Sequence, residues 1–256
     1  MRALVNPETL PTVPAALNFV NVSKSLGNAQ VLRGVSFEVR QGCFFGLAGI
    51  NGAGKTTLIR CLLDLCSADS GSIAIFGVDS QDNRSRAPLA FVPERFIPPY
   101  YLTGAAFLRM MAGLRGDPYV EADALAMLDR LDLAETALAR PVRAYSKGMT
   151  QKLGLASCFL ADRPLVILDE PMSGLDPQAR AQVKALLKEQ RERGRTLFFT
   201  SHALADIEDI CEEVAVLHDG RLRFRGTPVQ MRAHAGDGDL ESAFIALISQ
   251  AGPVSA

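Results

Sequence analysis

The sequence predicts an α/β fold: a mostly parallel core sheet with helices on both faces, preceded by an antiparallel β subdomain and interrupted by an inserted helical subdomain. Three observations predict it. A short apolar run, Cys43 to Ala48, leads through a glycine-rich loop into a helical pattern starting at Thr57. From Leu165 onward strand-type and helix-type segments alternate, as they do in parallel sheets with crossover helices. Between these regions, about Tyr100 to Leu160 carries helical spacing.

The elements follow in order. Met1 to Ala16 contains three prolines and no continuous apolar segment, so residues 1–16 read as a loose leader and not a signal peptide. Leu17–Val22 and Val35–Val39 alternate apolar and polar residues, the pattern of half-exposed antiparallel strands. Asp69-Ser70-Gly71 marks a turn, Ser72–Phe76 a strand and Ala90–Val92 a short apolar run. Thr103–Leu114, Val120–Leu131 and Lys147–Leu160 have helical spacing, broken at Gly116-Asp117-Pro118 and Arg140-Pro141. They make up the inserted helical subdomain, about 95–160. Leu165–Leu168 reads as a buried parallel strand, Pro177–Arg193 as a helix, and Thr196–Thr200 and Val214–Leu217 as strands. Asp219-Gly220 signals a hairpin into Arg221–Arg225. One folded unit is assigned to 17–235, and 236–256 to a short C-terminal helix and tail.

Bulk composition narrows the function classes. At 256 residues, 48% hydrophobic and 21% charged, the chain has room for one sizeable core, or a core plus a subdomain. Its 27 basic and 28 acidic side chains leave a net charge of −1, which gives no footprint for nucleic acid. No apolar stretch approaches the roughly 18–20 residues that span a bilayer. The cysteines at 43, 61, 66, 158 and 211 form no Cys-x-x-Cys pair, so reduced thiols in a cytosolic protein are expected over disulfides or zinc.

The chemistry lies in three segments. Gly49-Ile50-Asn51-Gly52-Ala53-Gly54-Lys55-Thr56-Thr57 spells a phosphate-binding loop between strand and helix, the context that gives the pattern meaning. Its glycines let backbone N–H groups turn around phosphate oxygens, and the helix presents its N-terminus to the same charge. Lys55 would reach the β- and γ-phosphates and the Thr56 hydroxyl would ligate Mg²⁺. The loop alone leaves kinases, GTPases and transport ATPases open, although the Asn-Lys-x-Asp of GTPases is absent. In the second segment, Leu165-Val166-Ile167-Leu168-Asp169-Glu170, an acidic pair closes a buried strand at its carboxyl end, where open α/β sheets bind ligands. Asp169 suits the Mg²⁺ shell, and Glu170 a general base or water-orienting group. In the third, Ser146 is a good N-cap for an apolar helix whose start would bind an anion; an ordinary capped helix is the alternative.

Taken together, these segments resemble the ATP-binding cassette (ABC) ATPases, P-loop NTPases whose motifs recur here in order from about Leu17 to Thr227. Ser146-Lys147-Gly148-Met149-Thr150-Gln151 is similar to their signature, Ser173-Gly174-Leu175-Asp176-Pro177 to their D-loop, and Ser201-His202 to their switch histidine. The resemblance implies a head-to-tail homodimer that sandwiches ATP and Mg²⁺. Ser146, Lys147, Gly148 and Met149 would approach the γ-phosphate in trans, and His202 in cis beside Glu170. It also implies separate membrane permease subunits and a place at the cytoplasmic face of the cell membrane, while the near-zero net charge predicts no nucleic-acid partner. Three departures stand out: Glu94 occupies the usual glutamine of the Q-loop, still able to ligate Mg²⁺; Leu26 takes the place of an adenine-stacking aromatic; Lys147 replaces a signature glycine. The permease contact would fall between Glu94 and about Leu114, gripped by Phe96, Pro98, Pro99, Tyr100 and Tyr101 unless these cover the chain's own core. Tyr145-Ser146-Lys147-Gly148-Met149, with the tail from Leu240, resembles the type 2 exporter branch. A soluble repair or translation ATPase is the other reading, but the long coiled coil and second cassette of such proteins are absent. His218 and His234 match no motif and are assigned structural roles.

Overall fold

The alternating segments near the start of the chain pair with each other. In the computed structural model, which describes residues 15–235 and 238–249, β1 (Ala15–Leu26) turns at Gly27-Asn28 into an antiparallel β2 (Ala29–Arg40). Both strands run well beyond the alternating cores read from sequence, and β1 begins at Ala15, two residues before the expected boundary. Residues 1–14 of the expected leader lie outside the described residues. β3 (Phe44–Ala48) and α1 (Lys55–Leu62) come next, before β4 (Ser70–Ile75) and β5 (Val78–Asp79) complete a four-stranded antiparallel sheet in the order β2-β1-β4-β5.

The second half builds a six-stranded sheet around β3. Its further strands are β6 (Leu89–Val92), β7 (Leu165–Asp169), β8 (Thr196–Ser201), β9 (Glu213–His218) and β10 (Arg221–Gly226), in the order β10-β9-β3-β8-β7-β6. All pairings are parallel except β9 with β10, joined through Asp219-Gly220. The helices are α2 (Gly104–Arg115), α3 (Glu121–Arg130), α4 (Lys147–Leu160), α5 (Pro177–Glu192), α6 (Leu204–Ile210), α7 (Pro228–Arg232) and α8 (Leu240–Ser249). The predicted mostly parallel core, antiparallel front sheet and helical insertion are all present.

Strand alternation divides the core in two. On one face of the six-stranded sheet Phe45, Leu47, Leu165, Ile167 and Phe198 meet α1 and the antiparallel sheet. There Phe37 stacks between Phe19 and Phe45, at ring-centre distances of 4.5 and 5.4 Å. On the other face Phe44, Val166, Leu168, Leu197 and Phe199 pack against the helices. Each fully buried side chain of this size contributes about 1.5–3 kcal/mol relative to exposure.

The helical segment shares that second cluster with the sheet. Thr103 caps α2 by accepting from the Ala106 N–H at 3.2 Å, and Gly116, at φ 75°, ends it. α4 is buried from Gln151 to Phe159, so it is the pillar between the inserted helices and the sheet. Residues 236–237 and those after Ser249 lie outside the described residues, and Leu240–Ser249 forms α8. Its Leu240 and Ala243 join the same core, so this helix belongs to the folded unit. Among the described residues no helix is long and apolar enough to cross a membrane.

Candidate active site

The loop between β3 and α1 is shaped by backbone pressing on it from behind. A Cβ on Gly49 would stand 2.6 Å from the Leu217 carbonyl oxygen, and one on Gly54 2.9 Å from that of Val31. Gly54 also sits at φ 108°, outside the range of ordinary L-residues. α1 has no side-chain cap, so its first N–H groups are left to face an anion. The loop opens on a cavity of about 400 Å³ lined by every residue from Ile50 to Thr57, with Val31, Glu94 and Glu170. Gly49 serves by close approach and through its carbonyl, which accepts from Lys55 Nζ at 2.6 Å. Lys55 is buried and lies 3.5 Å from Glu170 Oε1.

A turn that the sequence marked only as a hairpin supports this loop. The Gly220 N–H donates to the Ala53 carbonyl at 3.3 Å, and its own carbonyl accepts from Arg33 N–H at 2.8 Å. A Cβ there would come within 2.3 Å of the Val31 oxygen, so the β9–β10 turn fits only as glycine.

The acidic pair is held by the neighbouring strand. Register places Asp169 opposite Thr200, whose hydroxyl donates to Asp169 Oδ1 at 2.6 Å and accepts the Glu170 N–H at 3.0 Å. Burial pushes the Asp169 carboxyl above its ordinary value, opposed by hydrogen bonds from Thr200 and Thr56 and by the Lys55 charge. Thr56 and Asp169 thus stand side by side as oxygen donors, with Glu94 on the cavity rim. That set fits Mg²⁺, which takes few protein oxygens and completes its shell from phosphates and water.

Glu170 adopts φ 49°, a left-handed turn that few non-glycine residues occupy. It aims the carboxylate inward: Oε2 lies 2.8 Å from His202 Nδ1 and accepts the His202 N–H at 3.3 Å. Oε1 is buried and accepts no hydrogen bond among the described residues. A buried carboxyl oxygen with no donor among the described residues, beside the cavity, fits a group that receives its partner from a ligand or a water. The His202 ring is mostly exposed, free to meet what enters.

The signature residues lie elsewhere; none of Ser146 to Met149 lines this cavity. Ser146 caps α4 by accepting from the Met149 N–H at 3.2 Å. Its neighbours come from the D-loop: a Cβ on Gly148 would stand 3.8 Å from Leu175, and one on Gly174 2.9 Å from Lys147 Nζ. Ser173 N–H donates to the Glu170 carbonyl at 3.1 Å, and Asp176 caps α5 through the Ala179 N–H at 2.8 Å. The D-loop therefore runs as a short strut from Glu170 to the start of α4.

Two expectations look different in three dimensions. Leu26 sits half exposed at the β1–β2 turn, outside the cavity lining, where Val31 stands instead. The aromatic stretch expected to grip a partner is split. Phe96 lies on Gly154 of α4, where a Cβ would be 2.9 Å from its ring, and Pro98 is buried. Ile97, Tyr100 and Tyr101 face outward, each about 70% exposed.

Comparisons with known proteins agree with this geometry. Residues 32–173 match the profile of the family described as ABC transporter. An uncharacterized ABC transporter ATP-binding protein of Synechocystis sp. is 41% identical over 199 residues, covering 77% of this chain and 56% of that protein. The chain thus spans little more than half the length of that relative. A Nod factor export ATP-binding protein I of Ralstonia nicotianae is 33% identical over 222 residues, 85% of this chain and 69% of that one. A solved structure of an ATP-binding subunit of an ABC transporter superposes with a TM-score of 0.83 at 32% identity, covering 91% of this chain and 99% of its own.

Proposed function

This chain belongs to the ABC transporter family, and we propose that it binds and hydrolyses ATP as the motor subunit of an exporter. The observation that carries this reading is the buried Glu170 carboxylate, with one oxygen on His202 and the other undonated beside Lys55 and the phosphate loop. The loop N–H groups and Lys55 bind the phosphates, and His202 orients Glu170. Glu170 receives a proton from the attacking water as the terminal P–O bond breaks, giving ADP and phosphate. Thr56, Asp169 and Glu94 would hold Mg²⁺, which when bound neutralises charge on the phosphates.

Two copies clasp ATP between the loop of one and the Ser146 helix of the other, and hydrolysis releases the clasp. The α4 start supports this, because Ser146 and Lys147 are exposed and the self-capped helix presents its N-terminus to the outside. Ile97, Tyr100 and Tyr101 offer an apolar face for separate permease subunits at the cytoplasmic side of the membrane. Likeness to a Nod factor export protein supports outward transport.

The Glu170→Gln variant tests the central claim. It is expected to bind ATP, lose at least about 100-fold in hydrolysis and accumulate as a closed dimer. Hydrolysis at the wild-type rate would remove Glu170 from its role.

A further inference from the structure

Outside the nucleotide site, two thiols meet at the end of α1. Cys61 and Cys66 lie in sulfur contact at 3.6 Å, although their spacing matches no common cysteine motif. The approach is locally encoded. Asp64, at φ 56°, folds the chain back at the end of α1, and the N–H groups of Leu65 and Cys66 both donate to the Arg60 carbonyl, at 2.8 and 3.3 Å. Downstream, Asp69 fastens the segment to β1: it accepts from Lys24 Nζ at 2.8 Å and Ser25 N–H at 2.6 Å, and donates its own N–H to the Ser23 carbonyl at 2.8 Å. The pair therefore sits where the phosphate-loop helix is tied to the front sheet.

We propose that Cys61 and Cys66 are a modification site, an oxidisable dithiol that closes to a disulfide under hydroperoxides and fixes the end of α1. The two sulfurs differ in access, as a two-step oxidation requires. Cys61 is buried, and burial pushes its thiol up to about 12. Cys66 is only half buried and meets the oxidant first. Its thiolate attacks a peroxide oxygen, forming a sulfenic acid and releasing an alcohol or water. The Cys61 sulfur then displaces the sulfenic hydroxyl as water, with loss of its thiol proton. In sum, two thiols and one hydroperoxide give one disulfide, one alcohol and one water.

The proposal is independent of the ATPase reading, and its test needs no nucleotide. The full chain is treated with hydrogen peroxide, then unfolded and titrated for free thiols. The count is expected to fall from five to three, with a loss of two mass units reversed by dithiothreitol. Cys158→Ser should fall from four to two, whereas Cys66→Ser should keep four thiols or stop at a sulfenic acid. Amide exchange across residues 61–66 should slow at least threefold in the oxidised protein. Five thiols after treatment, or an intermolecular bridge in place of the internal one, would overturn the assignment.

Discussion

The cavity at the phosphate loop and the exposed start of α4 are built on opposite plans. Lys55, Asp169 and Glu170 are 6%, 1% and 6% exposed; Lys55 is held by the Gly49 carbonyl of its own loop, and the two carboxyls by Thr200 and His202 from β8 and the turn after it. Their arrangement is costly: a buried carboxyl, a left-handed glutamate and an acceptor without a donor. Ser146, by contrast, is exposed and satisfied by its own helix, an ordinary N-cap that strains nothing. One region holds strained and buried polar groups within the chain. The other is neutral until something charged is brought to it.

Substitutions on the two sides should therefore separate cleanly. Lys55→Ala removes the one buried cation of the loop and should weaken ATP binding about 100-fold or more, the equivalent of ~3 kcal/mol. Titration calorimetry on the isolated protein reads this directly, and wild-type affinity would place the phosphates elsewhere. Ser146→Asp sharpens the contrast, because aspartate keeps the N-cap while setting a negative charge where the other copy's triphosphate would arrive. Its thermal midpoint and the ATP affinity of the monomer should hold, and turnover should fall about tenfold or more. Undiminished turnover would mean that α4 meets no phosphate at all.

The sequence revealed the linear parts of this contrast and missed those made by pairing. Loop and acidic pair are each written in consecutive residues, so they could be read from spacing, whereas the signature and switch histidine were legible only through the family resemblance. Thr200 was invisible because its role depends on β8 lying beside β7 in a register that sets it against Asp169. Gly220 read as a turn because nothing local says that its N–H meets Ala53. Phe96 looked like a partner contact until Gly154, 58 positions later, proved to be the flat surface beneath it. Val31 replaced Leu26 in the lining because the β1–β2 hairpin carries Leu26 to its exposed tip. The shorter elements, α6 and α7, have too few residues for periodicity to show.

The smallest effect concerns what the buried side costs. Burial raises the Asp169 pKa in the folded chain, so the ionised form is disfavoured there relative to the unfolded chain. The stabilising contribution of such a group is complete below its unfolded value, near 4, and is lost as pH rises through the higher folded value. At neutral pH Asp169 therefore subtracts stability. Asp169→Asn keeps an oxygen for Thr200 and carries no charge. In nucleotide-free protein with metal chelated, it should raise the thermal midpoint at pH 7 by ~2–4 °C, the shift that about 1 kcal/mol produces at this size. That advantage should shrink as pH falls toward 4, while Mg²⁺-dependent hydrolysis drops at every pH. A midpoint at pH 7 equal to or below wild type would mean that Thr200, Thr56 and Lys55 already offset the cost. The cavity would then be no more strained than the self-capped start of α4.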